Sequence, residues 1–283
     1  MRERSQIFDP RQTMRSNTFE VFHYREPSAD MVEVHHHDFY EIYYLIQGNV
    51  QYWVDGRIIC MEPGDLLLIN PMELHRPILE QGILYERIVL WINQDFLAGI
   101  SQSQRLDRCF DTAAPDHTHL IRAGQSERTE IMTKLAELVR ESYSREFGGS
   151  ISAYGLFLQF MVQVNRLAKH TNAEESQQVS QLVQNTLQYI TAHLAEPISL
   201  EQLASFSYVS KYHLSHAFSR EVGVSIYRYI MLRRLLLAKQ LLTQGESAKQ
   251  VCRNCGFADY TSFYRAFKSE YGISPSQFIS DGR

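Results

Sequence analysis

The chain has 283 residues, 44% of them hydrophobic and 21% charged, with a formal net charge of −4. That is the make-up of an ordinary globular protein, long enough for two domains, with no apolar run near the ~18 residues of a membrane span and an N-terminus, MRERSQIFDP, without the apolar core of a signal peptide. Four scattered cysteines, Cys60, Cys109, Cys252 and Cys255, exclude a disulfide framework and fit a reducing cytoplasm.

The polar residues 1–17 read as a mobile N-terminal arm. From Thr18 to Trp91 the pattern is that of β-structure. The segment FYEIYYLIQGNVQYWVDGRIICMEPGDLLLINPMELHRPIL is rich in β-branched and aromatic residues, and Gly48, Asp55-Gly56, Pro63-Gly64 and Asn70-Pro71 punctuate it. Short strands at that spacing suggest a sandwich or a small barrel, with a hairpin turn at Asp55-Gly56. Within this region His35, His37, Glu41 and Gly48 follow the spacing H-x-H-x3-E-x6-G, and Pro63-Gly64-Asp65 leads through LLLIN to Pro71 and His75. His35, His37, Phe39, Glu41, Tyr43 and Leu45 share one strand parity and would point to one interior. Imidazoles beside a carboxylate suit a divalent transition metal, and equally suit hydrogen bonds that tie strands together. Trp53, Trp91, Tyr43, Tyr52 and Tyr85 could line a ligand pocket or fill a core.

After Gln125 the period changes to that of helices. Ile131, Leu135, Leu138 and Val139 mark one; Leu156, Phe160, Val164 and Leu167 mark the next; Gly148-Gly149 separates them. Residues 126–170 would pack on the β-domain and keep one apolar face over for a homodimer. The polar residues 171–178 read as an interdomain linker.

Residues 179–283 are helical and contain a repeat. At a constant offset of 49, Ala217, Phe218, Glu221, Gly223, Ser225 and Ile230 meet Ala266, Phe267, Glu270, Gly272, Ser274 and Ile279. Each copy reads as two short helices. Ser199 with Gln202, and Ser210, cap the first pair, which Gly223 closes; Ser247 with Gln250, and Asp259, cap the second, which Gly272 closes. Ser274-Pro275 with Gln277 starts a final helix, and the stretch IYRYIMLRRLLLAKQLL between the copies has no Gly or Pro. Two short helices joined by a tight turn make a helix-turn-helix, whose second helix enters the major groove. Leu214, Ala217, Phe218 and Val222, and Phe263, Ala266, Phe267 and Tyr271, form the apolar stripes. The opposite faces carry Tyr212, Ser215, His216 and Ser219, and Thr261, Tyr264, Arg265 and Lys268, residue types suited to base edges. Lys211, Arg220, Arg233, Arg234 and Lys249 suit phosphates. Charge follows the same division: from Glu196 to Arg283 eleven Lys and Arg outnumber seven Asp and Glu, a net of +4, leaving −8 for the rest. Cys252-x-x-Cys255, without a second Cys/His pair nearby, reads as small residues packed in a helix.

The segment VCRNCGFADYTSFYRAFKSEYGISPSQF resembles the signature of the AraC/XylS family of bacterial transcription regulators. The resemblance covers about Val179 to Ile279 and implies that Tyr212, Ser215 and His216, with Thr261 and Arg265, stand at base-contacting positions. Lys211, Tyr260 and Tyr264 complete the expected DNA-binding set. The two motifs around His35–Gly48 and Pro63–His75 resemble those of the cupin barrel, as found in the sugar-sensing domain of such regulators. The implied fold is α+β: an arm (1–17), a cupin-like effector-binding barrel (18–125), dimerisation helices (126–170), a linker (171–178), and an all-α domain of two helix-turn-helix units joined by a long helix (179–283). The implied function is an effector-responsive regulator of double-stranded promoter DNA, an activator that works as a homodimer with RNA polymerase. A sugar or related metabolite would be held by His35, His37, Glu41, Tyr43, His75 and Trp91, with no metal, cofactor or catalytic residue assigned. A metal-dependent cupin enzyme with a helical accessory domain, and a constitutive DNA-binding protein whose barrel only dimerises, are the competing readings.

Overall fold

The computed structural model describes residues 13–27, 32–101, 104–114, 117–169 and 176–280. Residues 1–12 of the expected arm and 171–175 of the expected linker lie outside them. The chain divides into two units, Met1–Gln177 and Gln178–Arg283.

In the first unit the β-rich sequence forms β1 (Phe19–Pro27), β2 (Tyr40–Gln47), β3 (Val50–Val54), β4 (Arg57–Met61), β5 (Leu66–Ile69), β6 (His75–Leu79) and β7 (Leu84–Ile92), followed by α1 (Gln94–Ser101), β8 (Leu120–Ile121), α2 (Gln125–Ser142) and α3 (Gly149–Ala168). Asp55 and Gly56 turn β3 into β4 with φ of 42° and 96°, the left-handed pair a two-residue hairpin demands. β9 (Ser176–Gln178) falls inside the stretch expected to be linker.

The strands make two sheets, ordered β1-β7-β2-β5-β8 and β6-β3-β4-β9. Among the described residues neither sheet closes on itself, so the cupin-like barrel expected from the sequence is not formed; this is an open two-sheet sandwich. Its side-chain alternation explains why. Tyr43, Leu45, Leu67, Ile69, Val89 and Trp91 point between the sheets, where they meet Tyr52, Val54 and Ile59 from the smaller one. Their neighbours Ile42, Tyr44, Leu66, Leu68, Ile88 and Leu90 are just as apolar and pack on the other face against Leu135, Leu138, Phe157 and Phe160 of α2 and α3. A sheet buried on both faces takes a helical layer on one of them, and the strand pairing stops at open edges. An isolated bridge between His35 and His75 joins backbones at one end without extending into a ladder. Asp65, from the second sequence motif, is fully buried and ties its turn to the helical layer through Arg122 (3.3 Å) and Arg128 (3.4 Å).

The second unit contains α4 (Gln181–Ala192), α5 (Leu200–Phe206), α6 (Lys211–Val222), α7 (Ile226–Thr243), α8 (Ala248–Asn254), α9 (Tyr260–Tyr271) and α10 (Pro275–Ser280). The caps are those the sequence predicts. Ser199 and Gln202 exchange both bonds of a capping box, Ser210, Ser247 and Asp259 each accept from the backbone N–H three residues on, and Ser274 and Gln277 repeat the box before α10. Gly223 and Gly272 close α6 and α9 at φ of 95° and 74°.

The two helix-turn-helix copies differ by one residue in the turn. Ser199 and Ser247 are 48 apart, whereas Ser210 and Asp259 are 49 apart. The left-handed turn position is Tyr208 in the first copy (φ 54°) and Gly256 in the second (φ 75°). Tyr208 is 96% exposed, so its side chain meets no obstacle. At Gly256 a Cβ would lie 2.7 Å from the carbonyl oxygen of Leu194 and 2.9 Å from the backbone of Ala195. Arg234 grips the same stretch, donating to the carbonyls of Leu194 (3.0 Å) and Glu196 (2.6 Å). Gly256→Ala is therefore expected to cost about 1–3 kcal/mol. Both tryptophans, Trp53 and Trp91, lie in the first unit, so the loss should appear in the helical circular-dichroism transition and leave the tryptophan fluorescence transition in place.

Candidate functional site

α6 and α9 are amphipathic in the sense the repeat predicts. Leu214, Ala217, Phe218 and Val222 are buried beneath α6, and Phe263 and Phe267 beneath α9. Facing out are Lys211, Tyr212 and His216 on α6, with Tyr212 80% exposed, and Tyr260, Thr261 and Arg265 on α9; Ser215 and Tyr264 are half-buried beside them. Tyr212 and His216 lie one helical turn apart with ring centroids 6.1 Å apart, and Tyr260 and Tyr264 at 6.5 Å. Each helix thus presents a contiguous polar and aromatic ridge, held from below by phenylalanines. Arg228 of α7 reaches Glu270 at 3.0 Å and so pins α9 to the connecting helix. Three cations read as phosphate contacts have partners in the protein, Arg220 pairing with Glu221 at 3.1 Å. Arg234 serves the Leu194–Glu196 backbone, while Lys211 pairs with Glu201 at 2.6 Å on an exposed surface where a phosphate can compete. Cys252 and Cys255 are buried, and burial pushes the Cys255 thiol up to about 12, so the pair is neutral packing.

The first unit brings together most of the residues chosen for the effector. Glu41 is the hub. Its Oε2 lies 3.0 Å from His37 Nε2 and 3.4 Å from His75 Nε2, and its Oε1 accepts from Trp91 Nε1 at 3.3 Å. The other ring nitrogens are held by backbone: His37 Nδ1 by the Phe39 carbonyl (2.9 Å) and His75 Nδ1 by the Glu73 carbonyl (3.0 Å). His35 packs edge-on against His75, ring centroids 4.3 Å apart. Tyr43 stands apart from this cluster: its hydroxyl meets that of Tyr85, and its ring meets Tyr52. Burial would raise the Glu41 carboxyl, but the two imidazoles outweigh it and hold Glu41 well below the usual carboxylate range. Burial likewise acts to lower His75, but the facing carboxylate wins and His75 is raised. For His37 burial prevails and the shift is downward; His35, with burial and the neighbouring His75 against it, falls to about 3.

Arg87 was not singled out by the sequence. It is buried with its guanidinium 4.1 Å from the Tyr85 ring and 4.8 Å from the Tyr24 ring, bonded to Glu26 at 2.9 Å. Strand parity with Trp91 places it between the sheets, and that parity is the one signal of it in the sequence.

Residues 17–161, just over half of the chain, match the family of AraC-like ligand binding domains, and residues 203–281 match a helix-turn-helix domain. The chain belongs to the AraC family. This AraC-family protein is thus a DNA-binding transcription regulator, and the enzyme reading falls. Over 270 residues it is 26% identical to the HTH-type transcriptional activator RhaS of Escherichia coli O139:H28 (strain E24377A / ETEC), covering 92% of this chain and 91% of that protein. Among solved structures it is similar to the C-terminal domain of AraT, a response regulator from Geobacillus stearothermophilus (28% identity, 37% of this chain, 88% of that one, TM-score 0.36). It is also similar to ToxT from Vibrio cholerae O395 (14% identity, 94% of this chain, 100% of that one, TM-score 0.39). No helix among the described residues is long and apolar enough to cross a membrane.

With Lys211 paired to Glu201, the expectation that Lys211 meets phosphate predicts that Glu201→Gln tightens binding to specific and random duplexes alike, by about two- to fivefold in dilute salt. Fluorescence anisotropy over a salt series checks this; unchanged affinities would remove Lys211 from the phosphate contacts.

Proposed function

We propose that this AraC-family regulator is a transcription activator that binds promoter DNA as a homodimer and responds to a small-molecule effector, a sugar or related metabolite, held between the sheets of its first unit. The observation that carries the reading is the doubled ridge on α6 and α9: two copies of one helix pair, each with its polar face outward over a phenylalanine base. In this reading Tyr212, Ser215, His216, Thr261, Tyr264 and Arg265 meet base edges, while Lys211 and Tyr260 meet the backbone. α7, with 18 residues, is about 27 Å long, comparable with the ~34 Å pitch that separates successive major-groove faces.

The similarity to an activator over most of its length supports the sign of regulation, and an activator would engage RNA polymerase beside its site. Support for an effector comes from the first unit, where imidazoles, a carboxylate and aromatic rings are gathered between two sheets: His35, His37, Glu41, Tyr43, His75 and Trp91 are its contacts. Met14, from the expected arm, packs against the same core and is placed to report occupancy. The homodimer rests on α3 and the connection from α2, where Tyr143, Phe147, Ile151 and Tyr154 are exposed, Phe147 entirely. The effector would favour the arrangement of arm, sheets and helices that suits the promoter.

Arg265→Ala is expected to cost about 1–3 kcal/mol at the cognate site and to relax base preference there, with little change on random DNA. Equal losses on both, in a binding-site selection followed by anisotropy, would show that Arg265 does not read bases. A screen of sugars and small metabolites should find a compound that raises the Tm of the full chain and also shifts its DNA affinity; compounds that move neither would remove the sugar effector.

A further inference from the structure

The ring nitrogens of His37 and His75 have assigned roles. A backbone carbonyl can only accept, so each Nδ1 beside one, at 2.9 Å from Phe39 O and 3.0 Å from Glu73 O, carries the proton. The neutral form of each ring then presents a bare lone pair at Nε2. Both lone pairs face Glu41 Oε2, itself an acceptor, and Trp91 fixes the carboxylate by donating to its other oxygen. Three acceptor atoms therefore converge, all within 4.8 Å of one another, on residues that are all buried. The 3.4 Å approach of His75 Nε2 to Glu41 is not a formed hydrogen bond, leaving that atom, in a side chain 1% exposed, without a hydrogen-bond partner. Acceptors turned on one another in the interior are relieved by a shared proton or by a cation between them, and a metal ion can serve all three at once.

We propose that His37 Nε2, His75 Nε2 and Glu41 Oε2 bind a divalent first-row transition-metal ion. Spacing supports the two pairs that share Glu41; the imidazole–imidazole pair is the wide side of a trio that spans up to 4.8 Å, so one ring swings inward when the ion binds. An ion with bonds of ~2.0–2.1 Å sets neighbouring ligand atoms about 2.9–3.4 Å apart, from octahedral to tetrahedral geometry; the two carboxylate–imidazole distances are 3.0 and 3.4 Å. Two imidazoles and one carboxylate favour zinc, iron, cobalt, nickel or manganese over calcium or magnesium, which take oxygen. The backbone bonds at both Nδ1 atoms are the outer contacts that orient metal-bound histidines. Three protein ligands leave a position for a further donor, and His35 stands beside His75. The inference goes beyond the effector reading, placing an ion among residues given there to a metabolite, and it rests on that reading only where DNA affinity is measured.

The full-length protein, stripped with a chelator, is titrated with Zn²⁺ by calorimetry and with Co²⁺ by visible absorption. One ion per chain is expected, with cobalt d–d bands and no thiolate charge-transfer band. His37→Gln, Glu41→Gln and His75→Gln should each weaken binding at least about tenfold, with circular dichroism and tryptophan fluorescence confirming a folded chain. No bound ion, a thiolate band that points to the cysteines, or unchanged affinity in folded variants would overturn the site. Should a variant fail to fold, the cobalt spectrum of the unsubstituted protein decides alone. Promoter affinity measured on the same samples separates the two readings: an ion that binds at this cluster without altering DNA affinity upholds the site and counts against its being the effector.

Discussion

The DNA-reading half of this regulator depends on one helix being buried along two sides. α7 carries Ile226, Tyr229, Ile230 and Leu232 in its first half and Leu235, Leu236, Ala238 and Leu242 in its second, all buried. The first group meets the first helix pair, with the Tyr229 ring edge-on to Phe218 at 5.6 Å. From the second group Leu235, Ala238 and Leu242 join Val251, Phe263, Phe267 and Phe278 in the core of the other pair. A helix pair of seven and twelve residues cannot bury enough apolar surface to stand alone. Sharing α7 supplies each pair with a core and joins them through one rigid rod. The placement of the two ridges is then a property of packing, because neither α6 nor α9 can be repositioned without disturbing the helix that both require.

The two pairs are anchored differently, the first through Glu221 of α6, which accepts from the Ser180 N–H at the start of α4 (2.8 Å). The turn of the second pair runs against the Leu194–Ala195 backbone, which leaves room only for a hydrogen at Gly256, and Arg234 fastens that backbone from the other side. Arg228 and Glu270 add an ion pair between α7 and α9. The first pair has Tyr208 at the equivalent turn, open to solvent, and the exposed Lys211–Glu201 pair at the start of its recognition helix. The two copies of one motif thus differ in restraint as well as in the side chains they present.

In the first unit the controlling feature is the double burial of the five-stranded sheet. Helices cover one face, the smaller sheet covers the other, and polar groups between the sheets must satisfy one another. Glu41, His37, His75 and Trp91 form one such group; Arg87, Glu26, Tyr24 and Tyr85 form a second. A buried carboxylate is costly unless compensated, and the imidazoles that compensate Glu41 also make it the most chemically distinctive point of that unit. Tyr43, expected in the same group from strand parity, points to the same space but reaches Tyr85 instead.

What could be read from the chain directly was local in origin. Caps at Ser199, Ser210, Ser247, Asp259 and Ser274, stops at Gly223 and Gly272, the hairpin at Asp55-Gly56 and the apolar stripes of α6 and α9 are each specified within a few residues, because the hydrogen bonds and periods involved span three or four positions. The family signature rests on that same local grammar. Tertiary structure alone decided that the sheets stay open, since the same alternation and turns serve a barrel or a sandwich until long-range pairing chooses the edges. It also decided that His75, 34 positions beyond Glu41, arrives beside it, that Arg234 faces a carbonyl pair instead of a phosphate, and that Gly256 has no room for a methyl group. Those outcomes depend on which distant backbones are brought together, a quantity that no window of neighbouring residues contains.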